Sequence, residues 1–209
     1  MRWPRENLKD WRTRLARELR AARRLTVLGV GNPDRGDDGA GSRCVRRLAR
    51  ALGHSRFFSC QDVGPEGTKS SANPIRLICR PRSAEKGGTK GPGKPAGVQV
   101  LDGREVPESE TGPIRRFRPS HVLIVDAVLA GNPPGTVFFV DPGSIPEDDL
   151  STHRIPLSRL VRYLEETVGC RVILLGIEPK NLGPGKGLTR PVSQAAGAVA
   201  ESLAGWLRL

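Results

Sequence analysis

The sequence predicts an α/β protein, a single three-layer domain in which a twisted, mainly parallel sheet of about five strands lies between helices. Three observations lead there. Short apolar runs alternate with stretches of helical periodicity along most of the chain. The first apolar run opens into a glycine-rich loop followed by a helical pattern, as in folds whose ligands bind at strand carboxyl ends. A chain of 209 residues suits one domain with a core of its own.

Taken in order, Leu8, Trp11, Leu15, Leu19 and Ala22 recur at spacings of three and four, with Arg filling the other faces. Residues 1–24 are therefore expected to form an amphipathic basic helix that packs at the edge of the main domain, residues 25–209. Residues 25–30 read as a buried strand and residues 40–52 as a helix, through Cys44, Val45, Leu48 and Leu52. Residues 98–101 and 122–125 are further inner strands, and β-branched and aromatic residues mark another at 136–140. The stretch 122–140 reads as a hairpin that adds one antiparallel strand. Residues 172–177 complete the sheet. Helical spacing returns at Leu157, Leu160, Val161 and Leu164, and again from Val192 through Ala196, Val199 and Leu203 to Leu207.

Between residues 54 and 97 this pattern fails. Gly, Ser, Pro and Lys accumulate in a basic composition that buries little apolar surface, which predicts a mobile insertion. Residues 75–79 are its one candidate for a short edge strand.

Composition narrows the function classes. With 37% hydrophobic residues, no apolar run approaches the length of about 20 needed to span a bilayer. The N-terminal stretch carries Glu6, Asp10 and Glu18 and lacks the apolar core of a secretory signal, so a cytoplasmic protein is expected. Cys44, Cys60, Cys79 and Cys170 show neither a CxxC pair nor a disulfide pattern. A formal charge of +12 favours an anionic partner, but only 4% aromatic residues leave few platforms for base stacking, which weighs against nucleic acid.

Three features carry chemistry. The loop after the first strand, residues 29–41, reads GVGNPDRGDDGAG; it lacks the third glycine of a dinucleotide fingerprint, and its Asp37 and Asp38 would repel a pyrophosphate. One of these two carboxylates is expected to be structural, as a helix cap, while the surrounding glycines permit close approach of a metal or a peptide backbone to the other. The strand at 122–125 ends abruptly in Asp126, and His153 precedes a helix. Two carboxylates and an imidazole on three loops could hold one borderline divalent ion such as Zn, Ni or Fe(II), leaving positions open for substrate or water.

Four blocks in this order resemble the hydrogenase maturation proteases, most closely the branch serving hydrogenase 3: VLGVGNPDRGDDGAG at 27–41, VLDGREVPE at 100–108 leading into IRRFRPSHVLIVDAVLAGNPPG at 114–135, STHRIPL at 151–157 and VILLGIEP at 172–179. The resemblance implies a peptidase, grouped with aspartic-type endopeptidases, that removes the C-terminal extension of a nickel-loaded hydrogenase large-subunit precursor. It implies Asp38, Asp126 and His153 as ligands of the nickel presented by that precursor, with Asp38 and Asp126 as catalytic carboxylates. Two departures are visible: Gly103 is followed by Arg104 where the family usually has a second glycine, and the segment at 54–97 is far longer than usual. Two other readings compete with this one. The first is a Mg-dependent phosphoryl-transfer or receiver-like domain using Asp37, Asp38 and Asp126; the second is a nucleic-acid-binding adaptor using the basic helix and insertion.

Overall fold

The computed structural model describes residues 10–53, 76–79, 94–144, 156–185 and 187–208. Along them run α1 (Trp11–Leu19), β1 (Arg24–Val30), α2 (Ala40–Ala51), β2 (Arg76–Cys79), β3 (Gly97–Arg104), α3 (Thr111–Phe117), β4 (His121–Ala127), β5 (Val137–Val140), α4 (Leu157–Val168), β6 (Arg171–Ile177) and α5 (Arg190–Arg208). Short 3-10 turns, Gly36–Gly39 and Pro107–Glu110, lead into α2 and α3.

The sheet has six strands in the order β2-β3-β1-β4-β6-β5. The inner strands β3, β1, β4 and β6 are parallel, so their carboxyl ends share one edge. Their near-continuous apolar burial follows from being covered on both faces. Leu25, Val27, Leu123 and Val125 face α1, α2 and α5, whereas Leu28, Val30, Val122 and Ile124 face α3 and α4. Alternation along each strand thus divides one apolar run between two cores.

Two expectations about the sheet need correction. The strand at residues 137–140 is antiparallel, but it pairs with β6 rather than forming a hairpin with β4. Its connection crosses the end of β6, where the Val128 amide donates to the Ile177 carbonyl at 3.1 Å. A sixth strand is also present: Arg76–Cys79 lies antiparallel to β3 at the opposite edge. Most of the remaining insertion, like Leu8 of the N-terminal stripe, lies outside the described residues.

The described N-terminal helix, α1, covers Trp11–Leu19 of the 1–24 stretch expected to be helical. Trp11, Leu15 and Leu19 are buried, each stabilising the domain by about 2 kcal/mol relative to an exposed position. Asp10 caps the helix by accepting from the Thr13 amide, and Arg14 stacks over the ring of Phe139 on β5. Helix α3 leaves no helical stripe in the sequence because its seven residues include Gly112 and Pro113, with only Ile114 and Phe117 as large apolar anchors. Buried Cys44 and Cys170 are free thiols, and burial raises their pKa values to about 12 and about 11. They stay protonated and behave as small core residues.

Candidate active site

At the carboxyl edge every parallel strand delivers a carboxylate: Asp102 on β3, Asp37 and Asp38 after β1, Asp126 on β4 and Glu178 just after β6. All five are buried. A buried charge must be matched by donors, so the partners of each show its job.

Asp38, through its backbone carbonyl, and Asp126, through its carboxylate, both border Gly31. The Asn32 amide donates to Asp38 Oδ2 at 2.8 Å, which turns the carboxylate back toward the end of β1. Asp126 Oδ1 accepts from the Ala127 amide at 2.8 Å. A Cβ on Gly31 would lie 1.8 Å from the Asp38 carbonyl oxygen and 3.6 Å from Asp126 Oδ1. Gly31 also has φ +112°, so glycine is required there twice over, for conformation and for space.

Asp37 has a different role. Its Oδ2 accepts from the amides of Lys180 and Asn181 at 2.9 and 3.0 Å and from Thr189 Oγ1 at 2.9 Å, while Oδ1 accepts from the Thr189 amide at 2.6 Å. The sequence marks one of the paired aspartates as structural, but as a helix cap. No side chain caps α2, and Asp37 instead clasps the 180–189 segment, some 150 residues away by donor matching that only the folded chain provides. Asp37→Ala should leave four donors without that acceptor and cost about 3 kcal/mol, read as a lowered midpoint in denaturant unfolding.

Asp102 ties α2 to β3: Ser42 Oγ donates to Oδ1 at 2.7 Å, and Arg46 donates through Nε and Nη2 to Oδ2, both at 2.8 Å. Beyond it, Arg104 adopts φ +48°, a left-handed conformation that glycine takes without penalty, which explains in physical terms why a glycine suits this position. Its carbonyl accepts from the Gly31 amide at 2.8 Å, and Asn32 Nδ2 donates to Glu105. The Arg104 turn therefore buttresses the loop that carries Asp38.

Glu178, in the VILLGIEP block, has a role that its sequence context does not reveal. It accepts from the amides of Ala130 and Gly131 and from Asn132 Nδ2, at 3.0 to 3.3 Å. His153 lies outside the described residues. His121 stands at the amino end of β4, the opposite edge of the sheet; burial lowers its pKa, helped by nearby Arg171 and opposed by Glu18. Among the described residues no group of three or more His, Cys, Asp or Glu side chains is arranged to hold a metal ion. Carboxylates such as those of Asp38 and Asp126 are oxygen donors of the type a divalent ion accepts.

Comparison with known proteins adds an independent line. A family model described as hydrogenase maturation protease (HycI) matches residues 89–206. The hydrogenase 3 maturation protease of Escherichia coli strain K12 is 40% identical over 108 residues, covering 51% of this chain and 69% of that protein. Among solved structures, the [NiFe] hydrogenase maturation protease HycI of Thermococcus kodakarensis KOD1 superposes with a TM-score of 0.67 at 25% identity, covering 93% of this chain and 99% of the other. A crystal structure of a hydrogenase 3 maturation protease is similar with a TM-score of 0.56 at 31% identity, covering 90% and 92%.

Proposed function

Since the chain belongs to the hydrogenase maturation protease family and is a peptidase acting on a hydrogenase precursor, we propose that it removes the C-terminal extension of a [NiFe]-hydrogenase large-subunit precursor already loaded with nickel. The observation that carries this reading is that Asp38, through its backbone carbonyl, and Asp126, through its carboxylate, both border Gly31 at the carboxyl edge of the sheet. The nickel is part of the substrate. Asp38, Asp126 and His153 are its proposed ligands on the protease side, so affinity depends on whether the precursor presents the ion.

Chain direction supports including His153. Helix α4 runs back to the amino edge, where β6 begins, so its first residue, Leu157, is at the carboxyl edge. His153 stands four positions before Leu157 in the sequence, a span of at most about 14 Å. Asp126, two residues beyond Ile124, continues the strand alternation toward the face that α4 covers.

Cleavage needs an activated water and a polarised carbonyl. A divalent ion between these ligands would supply Lewis acidity to the scissile carbonyl or lower the pKa of a bound water. Asp38 or Asp126 is the proposed general base, within an aspartic-type assignment that does not require the two to share a proton. Among the described residues no helix is long and apolar enough to cross a membrane. The cytoplasm is the proposed place of action. A phosphoryl-transfer pocket would need Asp37 beside the other two, but the bonds of Asp37 to the 180–189 segment commit it elsewhere. The deciding test presents purified protein with matched nickel-loaded and nickel-free precursors. Shortening of the loaded form alone is expected, and equal cleavage of both forms would overturn nickel recognition.

A further inference from the structure

Glu178 belongs to the VILLGIEP block, yet nothing in the proposed chemistry uses it. It is 2% exposed, and among the described residues its side chain accepts from one loop, the connection from β4 to β5. Its backbone joins the same loop at the far end: the Glu178 amide donates to the Thr136 carbonyl at 2.9 Å, and its carbonyl accepts from the Gly135 amide at 2.8 Å. One residue thus fastens both halves of the 128–136 loop, which begins two positions past Asp126. Burying a carboxylate is costly unless it gathers charge-assisted hydrogen bonds, so the arrangement fixes this loop far more firmly than an apolar contact would.

What the loop displays is apolar. Val128 and Ala130 pack against the core, while Leu129 between them is 70% exposed, the highest value among the exposed large hydrophobic residues described. A single exposed leucine ordinarily means little. Here it stands three positions past Asp126 on a turn that Glu178 ties down, which Gly131 at φ +76° permits and in which Gly135 sits against Pro191. A preformed apolar contact avoids the ordering cost that a loose loop would incur on binding.

We propose that Glu178 is a positioning residue that holds the 128–136 loop as a preformed recognition element, with Leu129 as its apolar contact to the precursor segment entering beside Asp126. The inference rests on the endopeptidase reading above and adds a specificity determinant to it.

Steady-state cleavage of nickel-loaded precursor tests it. Leu129→Ala should raise KM about tenfold with kcat within about twofold of the parent and an unchanged thermal midpoint; Leu129→Met should restore KM. Glu178→Gln necessarily turns one acceptor into a donor facing N–H groups, so amide exchange at Ala130 and Gly131 should accelerate and KM should rise to a similar degree. The double variant should be no worse than either single one, because both remove the same contact. Unchanged KM in Leu129→Ala overturns the proposal, as does faster exchange in Glu178→Gln without a change in KM. If Glu178→Gln does not fold, Leu129→Ala alone decides. A parent protein that cleaves nothing is a separate result: it refutes the endopeptidase reading, and this inference with it.

Discussion

Asp38→Asn and Asp126→Asn proteins are expected to fold normally and to lose processing of nickel-loaded precursor by about 100-fold or more. The expectation follows from what an amide keeps and what it loses. Asp38 Oδ2 accepts from the Asn32 amide and Asp126 Oδ1 from the Ala127 amide, and an asparagine carbonyl can accept in either place. The structural cost should therefore stay near about 1 kcal/mol. Lost instead is the negative charge that draws in and orients a divalent ion. Removing several kcal/mol of ion-mediated stabilisation corresponds to a rate loss of about two or more powers of ten. His153→Ala should fail in the same way. Circular dichroism and thermal midpoints, measured beside precursor cleavage, separate the outcomes. Folded variants with near-parent rates would remove these residues from the site, and unfolded variants would make their role structural.

The largest stability effect is expected at Gly41. A Cβ there would lie 2.0 Å from the Val125 carbonyl oxygen, 2.4 Å from the Val30 carbonyl oxygen and 2.7 Å from the Val30 amide nitrogen. All three are backbone atoms of the central strands, so no side chain can rotate away. Gly41→Ala must push the first turn of α2 off β1 and β4, at a cost of about 4 kcal/mol or more. The same displacement would drag the Gly36–Gly39 turn, which carries Asp38, away from Asp126. Gly205→Ala provides the control: its Cβ meets nothing within 4 Å on α5, and the change should be neutral or stabilising by up to about 1 kcal/mol. Equal thermal midpoints for the two variants would contradict the backbone-to-backbone contact.

The sequence by itself determined the layered α/β class, because apolar runs and helical stripes are local patterns, and it marked Asp126 as a candidate, because a carboxylate that ends an apolar strand is visible in one dimension. The four blocks also mark the family from sequence alone. Tertiary structure alone decided the sheet order, since β5 could be matched to β4 or β6 from its composition, and in the fold it pairs with β6 while Glu178 holds the connection that crosses it. It likewise separated the adjacent aspartates. Asp37 and Asp38 are chemically identical in sequence, but donors from Lys180, Asn181 and Thr189 reach one, and the Asn32 amide reaches the other. Hydrogen-bond partners distant in sequence leave no periodic trace, so the duties of Asp37, Asp102 and Glu178 emerge only when the chain closes on itself.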